Sequence, residues 1–265
     1  MQVTSQELEI VRLFRDKVYG KRADTSLSNH AHDGKGGHWL EKQMGIAHNS
    51  NTEADLLGYE MKNGTRSKIS FGDWMADYYI HNDTHFVSQM LYSTKTERRN
   101  NFFIKVFGSP NPEKNNRYSW SGKPVPKINK FNDYGQILIV ENKDVVIKYS
   151  YEEGQREDKE SIIPENMRHQ NLVIAKWFED SLRKKINNKF NKKGWFICKK
   201  DTNEIYNEIV FGNPLSLEDW LDFVKDGTVF LDSGMKEDSS RNYSQWRANN
   251  VTFDKLVARS YPPFP

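Results

Sequence analysis

The chain has 265 residues, one cysteine, 13% aromatic residues and a formal net charge of +3. The single cysteine, Cys198, excludes an intrachain disulfide and a cysteine-rich zinc site, so a reducing cytoplasm is the expected compartment. The small net charge does not by itself require a polyanionic partner. No apolar run matches a signal peptide or reaches the length of a membrane span, so we expect a soluble protein without a membrane partner.

The first predicted elements are two helices. Thr4 and Glu7 have the spacing of a capping box, which predicts a helix that continues to about Gly20. Its apolar face is expected to hold Leu8, Val11, Phe14 and Val18, and to be widened by Ile10 and Leu13. A polar loop follows, and then a short helix is expected from Gly36 to Met44.

The stretch from Asp55 to Lys62 combines an acidic residue, a glycine turn and a short predicted strand. Side chains alternate along a strand, so Glu60 and Lys62 share one face while Tyr59 and Met61 take the other. Asp55 can join the first face from the turn that precedes the strand. The pattern predicts two carboxylates and one amine side by side.

This cluster suits a particular chemistry if Leu57 and Met61 pack inward and leave it on the open face. Carboxylate oxygens are ligands for Mg2+, and an amine beside the ion can position a water for attack at phosphorus. The pattern therefore favours phosphodiester hydrolysis. Taken alone, it also fits a strand edge with an exposed ion pair, and the residues leave both interpretations open.

The middle of the chain is predicted to contain two hairpins and one further strand. The first hairpin would turn at Asn63-Gly64 and return as a strand at 68–71, and the second would join 136–140 to 145–151. The apolar run at 102–107 predicts a strand. Residues 108–135 are expected to be irregular.

Two histidines in this region, His81 and His85, are four residues apart. They would share one face of a helix and could form a metal pair there, but no third ligand is in view.

The last third of the chain alternates predicted helices and strands. The longest helix is expected at 170–190, where apolar residues recur every four positions. Helices are also expected from Ser216 to about Gly227 and at 252–258, and strands at 195–198, 208–211 and 229–232.

A run of basic residues occupies the end of the longest predicted helix and the next strand, with no acidic residue between Ser181 and Lys200. It contains Arg183, Lys184, Lys185, Lys189, Lys192, Lys193, Lys199 and Lys200. Such a run is either a solvated surface or a ridge that contacts phosphates, and both alternatives stay open here.

No repeat or linker divides the sequence, which predicts one α/β (α+β) domain over 1–265. We expect a mixed central β-sheet flanked by helices. Two lobes around a DNA cleft are an open alternative. The catalytic part is expected at about 30–110, and the DNA-reading and C-terminal part at about 170–265.

Several motifs in one order resemble the MvaI/BcnI group of restriction endonucleases, relatives of the mismatch-repair nickase MutH. The matching stretches include Gly34-Lys-Gly-Gly37, His38-Trp-Leu-Glu41, Asn51 and Asp55-Leu-Leu-Gly58-Tyr-Glu60-Met-Lys62. The likeness continues at Arg66 and Ile69-Ser70-Phe71 and returns at Asp226-Gly227, Arg247 and Val251–Leu256. Together these stretches cover about a third of the chain.

The resemblance implies a PD-(D/E)xK nuclease core that cleaves double-stranded DNA with Mg2+. It makes Asp55 and Glu60 metal ligands, together with the backbone carbonyl of Met61, and makes Lys62 the residue that orients the attacking water. Glu41 would be the fourth active-site residue. The family commonly acts as a monomer, so the two strands would be cut in turn through a nicked intermediate.

The same resemblance implies where DNA is read, namely after the second strand and before the C-terminal arginine. The residues there are Asp73, Trp74, Arg241, Tyr243, Gln245 and Arg247. Arginine suits guanine, glutamine suits adenine, and a carboxylate can accept from cytosine. Trp246 and Tyr243 are expected either to stack on DNA or to pack in the core, and Lys192 and Lys193 to contact phosphates.

We therefore predict a type II restriction endonuclease. The alternatives are a MutH-like nicking enzyme, a subunit of a heterodimeric restriction enzyme, and a DNA-binding module without activity. The complete Asp55, Glu60 and Lys62 set argues against the last, because binding alone has no need of all three.

Overall fold

A computed structural model describes residues 3–26, 35–46, 53–65, 67–88, 92–239 and 242–261. The chain divides into two compact units. The first contains the described residues within Met1–Ile69, Arg183–Leu217 and Asn249–Pro265, and the second those within Ser70–Leu182 and Glu218–Ala248. No helix in these described ranges is long and apolar enough to cross a membrane.

The α-helices of the described residues vary from single turns to thirteen residues. In chain order they are α1 (Ser5–Lys17), α2 (Lys35–Gln43), α3 (Thr84–Val87), α4 (Lys95–Glu97), α5 (Lys105–Phe107), α6 (Lys159–Ile162), α7 (Glu179–Lys189), α8 (Leu217–Lys225) and α9 (Asn250–Lys255). A π-helix at Arg98–Ile104 joins α4 to α5, and short 3-10 helices lie at Ile80–Asn82, Pro112–Lys114 and Glu165–Met167.

The strands of the described residues form several small sheets. They are β1 (Glu60–Asn63), β2 (Lys68–Asp73), β3 (Tyr78–Tyr79), β4 (Ser109–Asn111), β5 (Arg117–Trp120), β6 (Tyr134–Glu141), β7 (Asp144–Gly154), β8 (Leu172–Trp177), β9 (Trp195–Lys200), β10 (Tyr206–Gly212), β11 (Val229–Ser233), β12 (Met235–Lys236), β13 (Ser244–Asn249) and β14 (Val257–Tyr261).

The first unit is built on a mixed four-stranded sheet in the order β1-β9-β10-β14. β1 runs parallel to β9, and the other two pairs are antiparallel. Its hydrophobic core joins the sheet to α1 and α2 through buried side chains such as Phe14, Leu40, Tyr59, Met61 and Phe211. β1 therefore has a buried face in this core and lies at the end of the sheet.

The second unit contains three sheets, in the orders β11-β13-β2, β12-β5-β4 and β3-β8-β7-β6. Tryptophan rings form much of its core. Trp246 packs edge-on against Trp177 and Trp220, with ring centres 5.2 Å and 5.1 Å apart. This packing fixes β13, the strand that was expected to carry DNA-reading residues.

The fold class is confirmed: the chain is a mixed α+β protein. The helix at α2 and the strands β1, β9, β10 and β11 lie where the sequence predicts them. The hairpin of β6 and β7 is also confirmed, and its turn residues Asn142 and Lys143 both have positive φ. α8 likewise begins after Ser216 and ends before Gly227.

The first helix differs from its prediction in two side chains. Leu8 is 49% exposed, because the buried face runs through Ile10 and Phe14 and Leu8 lies beside it. Thr4 caps the helix by accepting from Glu7 N, but the Glu7 carboxylate does not complete a capping box. It accepts instead from Arg259 and Tyr261 on β14.

The predicted hairpin around Asn63-Gly64 is wrong. Both strands exist, but β1 pairs in parallel with β9 and β2 belongs to the sheet of β11 and β13. A turn signal shows where the chain bends, whereas the pairing of a strand depends on partners far away in sequence.

Two predicted elements have another secondary structure. Residues 102–107 are helical rather than a strand, and 172–177 form β8 rather than the start of the longest helix. The run at 102–107 is buried on nearly all sides, and periodicity cannot separate a buried strand from a buried helix. In the longer stretch, Phe178 is 45% exposed where the helix had placed it in the core.

The remaining differences are added strands. The segment expected to be irregular contains β4 and β5, and the last helix is α9, after which the chain continues as β14. These strands are short or lie at the edges of sheets, so their sequences have little alternation.

Candidate active site

The site begins with a tight turn that leads into β1. Leu56 and Tyr59 exchange backbone hydrogen bonds of 3.0 Å and 2.8 Å, and the two residues between them, Leu57 and Gly58, have φ of +50° and +89°. Positive φ at both central positions is the geometry of a type I′ turn. Leu57 is 38% exposed at the tip, so the expectation that it packs inward is wrong.

The turn brings Asp55 back over the strand. Asp55 Oδ2 accepts a hydrogen bond of 2.9 Å from the backbone N–H of Met61. Tyr59 and Met61 are buried in the core, as predicted, and Glu60 and Lys62 therefore lie on the other face. A backbone hydrogen bond of 3.0 Å from Ala54 to the carbonyl of Asn188 fixes the turn against the end of α7.

Glu60 is the centre of the cluster. Its side chain is almost fully buried, and its Oε1 accepts from Lys62 Nζ at 2.8 Å and from Lys189 Nζ at 3.1 Å. Lys62 Nζ also lies 5.2 Å from the centre of the Phe190 ring. Two amines and an aromatic ring thus surround one buried carboxylate.

The other oxygen of Glu60 is buried and has no hydrogen-bond partner among the described residues. A buried carboxylate oxygen without a donor is costly unless a cation approaches it. Burial, and then the charge of Glu60, raises the pKa of Asp55 to about 6. A divalent cation between the Asp55 and Glu60 carboxylates would offset both the missing donor at Glu60 and the repulsion that raises the pKa of Asp55.

The backbone of Met61 offers a further oxygen. Glu60 N bonds Gly194 O, and Gly64 N bonds Cys198 O, so the even-numbered residues of β1 face β9. In a parallel ladder the N–H and C=O of a residue point to the same side, and Met61 therefore presents its carbonyl at the open edge of the sheet. That edge is where Asp55 binds Met61 N–H, which fits the expected carbonyl ligand.

Glu41, the expected fourth residue, lies near the end of α2 and is 3.3 Å from His38 Nδ1 through its Oε2. Among the described residues, no three His, Cys, Asp or Glu side chains are grouped so that they could hold a metal ion. The structure thus brings Asp55, Glu60 and Lys62 together. The role of Glu41 stays a prediction.

Lys189 is the site residue that the sequence did not single out. It belongs to the basic run after Ser181, and other members of the run have different contacts. Lys199 pairs with Asp254 at 2.6 Å, and the Lys193 stem lies so close to Gly58 that a Cβ added to this glycine would be 3.2 Å from it. Lys192 is exposed, and phosphate contact by Lys192 and Lys193 stays a prediction.

The expected DNA-reading residues lie in the second unit. Gln245 and Arg247 are partly exposed on β13, and Tyr243 is 37% exposed. Asp73 Oδ1 accepts from Ser244 N at 2.8 Å, which holds the start of β13. Their contacts with DNA stay predictions, and Arg241 lies outside the described residues, as do Gly34, Asn51 and Arg66 of the resemblance.

Two tryptophans of this region are core residues. Trp246 is fully buried, which decides its open alternative in favour of packing. Trp74 is 4% exposed, its ring centre is 5.6 Å from that of Trp220, and its carbonyl accepts from Trp177 Nε1. Because Trp74 is buried, the structure gives no support to its expected contact with DNA.

The two histidines at 81 and 85 do not share one helix face. His81 is buried in a 3-10 helix between the rings of Tyr79 and Phe103, whereas His85 is exposed on α3. Within the described ranges, neither histidine belongs to a group of three or more side chains that could hold a metal ion.

Comparison with known proteins gives one family and related folds. The family model described as LlaMI restriction endonuclease matches residues 18–261. The type II restriction enzyme ScrFI of Lactococcus lactis subsp. cremoris is 42% identical over 260 residues, which cover 94% of this chain and 96% of ScrFI. The structure of restriction endonuclease MvaI with its cognate DNA substrate is similar in fold, with a TM-score of 0.58 at 12% identity over 98% of this chain and 99% of that one.

Proposed function

The chain belongs to the LlaMI restriction endonuclease family, and from that premise we propose that it is a type II restriction endonuclease that hydrolyses double-stranded DNA at a specific site with Mg2+. Restriction endonucleases generally use a divalent metal. The resemblance to MvaI/BcnI-type enzymes that the motifs suggested is in accord with this family and fold.

One observation carries the proposal: the buried, unpartnered Oε2 of Glu60 beside Asp55. Asp55, Glu60 and the carbonyl of Met61 would hold Mg2+. The ion, when bound, supplies a Lewis acid that stabilises charge on the phosphorus oxygens. Because the pKa of Asp55 is about 6, half of these carboxyl groups are protonated at that pH, and a proton competes with the ion in acid.

Lys62 would orient the attacking water. Its Nζ is held 2.8 Å from Glu60 Oε1 and has further N–H groups to donate. A water bound by this amine would lie beside the Glu60 carboxylate. Glu41 would complete the set as the expected fourth active-site residue.

We infer the cytoplasm as the site of action, since Cys198 is a free, buried thiol and the substrate is DNA. The proposed oligomeric state is a monomer, with a heterodimer subunit as the alternative. A monomer with one cluster would cut the two strands in turn.

The test is digestion of a supercoiled plasmid with Mg2+, followed by sequencing of the ends. Wild type is expected to give an open circle first and then linear DNA with one sequence at every end. Asp55→Ala and Lys62→Ala are each expected to lower the cleavage rate at least a hundredfold, about the effect of losing a group that stabilises the transition state. Product that stops at the open circle would show a nicking enzyme.

DNA binding with Ca2+ separates the loss of chemistry from the loss of folding. Both variants are expected to bind a duplex that contains the mapped site with affinity within a few fold of wild type. Lys17→Ala is the control, because Lys17 is an exposed lysine at the end of α1, outside the basic run after Ser181. Wild-type cleavage rates in both active-site variants would reject the proposed function.

A further inference from the structure

The turn before β1 has a leucine where its backbone disfavours one. Leu57, with a φ of +50°, is the first central residue of this type I′ turn, a position that prefers asparagine, aspartate or glycine. Among the described residues, nine other than glycine have positive φ, and Leu57 is the one apolar side chain of this set. The others are Asn115, Asn116, Asn129, Asn142, Lys143, Asn171, Glu204 and Asp238.

Packing in the core does not explain the leucine. Its side chain is 38% exposed at the tip of the turn, whereas Leu56 and Tyr59 on either side of the turn pack in the core of the first unit. A left-handed backbone brings the Cβ of an L-residue too close to the following carbonyl oxygen, so the position is strained. Strain of this kind is concentrated at functional sites, where another requirement maintains it.

Leu57 lies between the two proposed metal ligands. It follows Asp55 by two residues and precedes Glu60 by three, so its Cα is at most about 7.6 Å from that of Asp55 and about 11.4 Å from that of Glu60. In the proposed reaction, the phosphate that is attacked lies beside these two carboxylates and Lys62. The two deoxyriboses joined to this phosphate are therefore within reach of a side chain at the tip of the turn.

A lysine accompanies the leucine at this turn. The Lys193 stem covers Gly58, the other central residue, because a Cβ added to this glycine would lie 3.2 Å from Lys193 Cδ. Lysine stems commonly pack on neighbouring groups while the ammonium stays in water. The turn thus combines an apolar side chain with a cation. A DNA strand has the complementary alternation, in which the C–H groups of each sugar lie between two phosphates.

We propose that Leu57 contacts a deoxyribose next to the scissile phosphate and thereby positions this phosphate at the metal ligands. The inference rests on the proposed function and adds a substrate-contact residue to its site. Leucine has no hydrogen-bonding group, so this contact reads no base edge and acts on any sequence. It removes water from two apolar surfaces and limits the movement of the phosphate before attack.

Leu57→Asn separates the contact from the shape of the turn. Asn-Gly is the preferred pair of a type I′ turn, so this variant keeps the turn and relieves its strain. We expect the midpoint of urea unfolding to rise by about 0.3 M. We expect kcat/KM on a duplex with the mapped site to fall about tenfold, the effect of losing the partial burial of one leucine. Ca2+ affinity without DNA should stay within about twofold of wild type, because the turn keeps Asp55 and Glu60 in place.

Two further variants complete the series. Leu57→Met keeps an apolar side chain and should keep kcat/KM within about threefold of wild type. Leu8→Gln is the matched control, because Leu8 is a 49% exposed leucine on α1 of the same unit, and it should leave kcat/KM unchanged.

Hydroxyl-radical footprinting of the Ca2+ complexes shows whether the contact is direct. Hydroxyl radicals abstract hydrogen from deoxyribose, so a leucine that covers a sugar protects it. Wild type should protect a sugar next to the scissile phosphate, and Leu57→Asn should lose this protection while the rest of the footprint is unchanged. Identical footprints would overturn the inference.

The kinetic and folding data can overturn it as well. Wild-type kcat/KM in Leu57→Asn would show that the side chain has no role, and a parallel loss of Ca2+ affinity would show an effect through Asp55 and Glu60 instead. A lower urea midpoint would contradict the strain from which the inference begins. Absence of site-specific cleavage by wild type would refute the proposed function, and this inference with it, whereas the other failures leave that function intact.

Discussion

Glu60 is a carboxylate whose burial needs compensation. A buried charge is costly unless it is paired and hydrogen-bonded, and Glu60 has two lysines on one oxygen and none on the other. The amines of Lys62 and Lys189 offset its charge before any cation binds. The uneven arrangement leaves one oxygen ready for a ligand, which is why the site is suited to an ion.

Lys189 is expected to oppose the binding of a divalent cation, because its ammonium lies 3.1 Å from Glu60, a proposed ligand. Lys189→Met keeps most of the stem and removes the charge. We expect Ca2+ to bind this variant about fivefold more tightly than wild type in calorimetric titrations without DNA. That change corresponds to ~1 kcal/mol, the size of a partly screened charge repulsion.

Lys184→Met is the matched control for this prediction, since Lys184 is an exposed lysine of the same helix. It should leave Ca2+ affinity unchanged. Weaker Ca2+ binding in Lys189→Met would mean that Lys189 chiefly orients Glu60, contrary to the repulsion argued here.

The sequence predicted the part of this site that is local. Asp55, Glu60 and Lys62 lie within eight residues, and strand alternation is enough to place the last two on one face. Lys189 could not be chosen from a run of similar lysines, because its contact with Glu60 spans 129 residues. The orientation of the Gln245 side-chain amide could not be predicted either, because it depends on the hydrogen bond from Arg247 to Gln245 Oε1.

At the scale of elements, the turn before β1 sets the distance between the two carboxylates. Gly58 has a φ of +89°, where a Cβ is strained and would lie 3.2 Å from the Lys193 stem. Gly58→Ala is expected to lower the free energy of unfolding by about 1 kcal/mol and to lower kcat of cleavage at least tenfold, because Asp55 moves relative to Glu60. Urea unfolding and single-turnover cleavage measure the two effects.

Gly20 supplies the control for the turn. It has a φ of +73° and belongs to the same unit, and a Cβ added to it would meet no atom within 4 Å. Gly20→Ala should lose a similar amount of stability and keep wild-type kcat. A similar loss of kcat in both variants would attribute the effect to general destabilisation.

Elements were predictable where a pattern has one interpretation. The hairpin of β6 and β7 has two strands rich in apolar residues on either side of a two-residue turn, and it formed as expected. The helical structure at 102–107 and the strand β8 were not predicted. The first stretch is apolar on nearly all sides and the second has apolar residues at mixed spacing, and both patterns fit a helix as well as a strand. Strand partners such as β1 and β9 depend on the whole sheet.

At the scale of the whole molecule, acid stability should depend on His81 in the second unit. Burial, and then the positive charges of Lys95, Arg99 and Arg98, lowers the pKa of His81 from 6.5 to about 3. Its ring is buried against Phe103, and Nδ1 has no partner among the described residues. The folded protein therefore keeps this histidine neutral in weak acid.

The sign follows from proton binding. Between pH 6.5 and about 3 the His81 side chain binds a proton in the unfolded chain but not in the folded chain. The contribution of His81 to the free energy of unfolding is therefore fully present above pH 6.5 and is lost as the pH falls. From pH 6.5 to 5 this amounts to about 2 kcal/mol. His81→Phe keeps an aromatic ring in place and removes the titrating group. Between pH 7 and 5 we expect the free energy of unfolding, measured in urea titrations, to fall by about 2 kcal/mol less in this variant than in wild type. His85→Phe, at an exposed position, should keep the wild-type difference; an unchanged difference in His81→Phe would mean that other groups govern unfolding in acid.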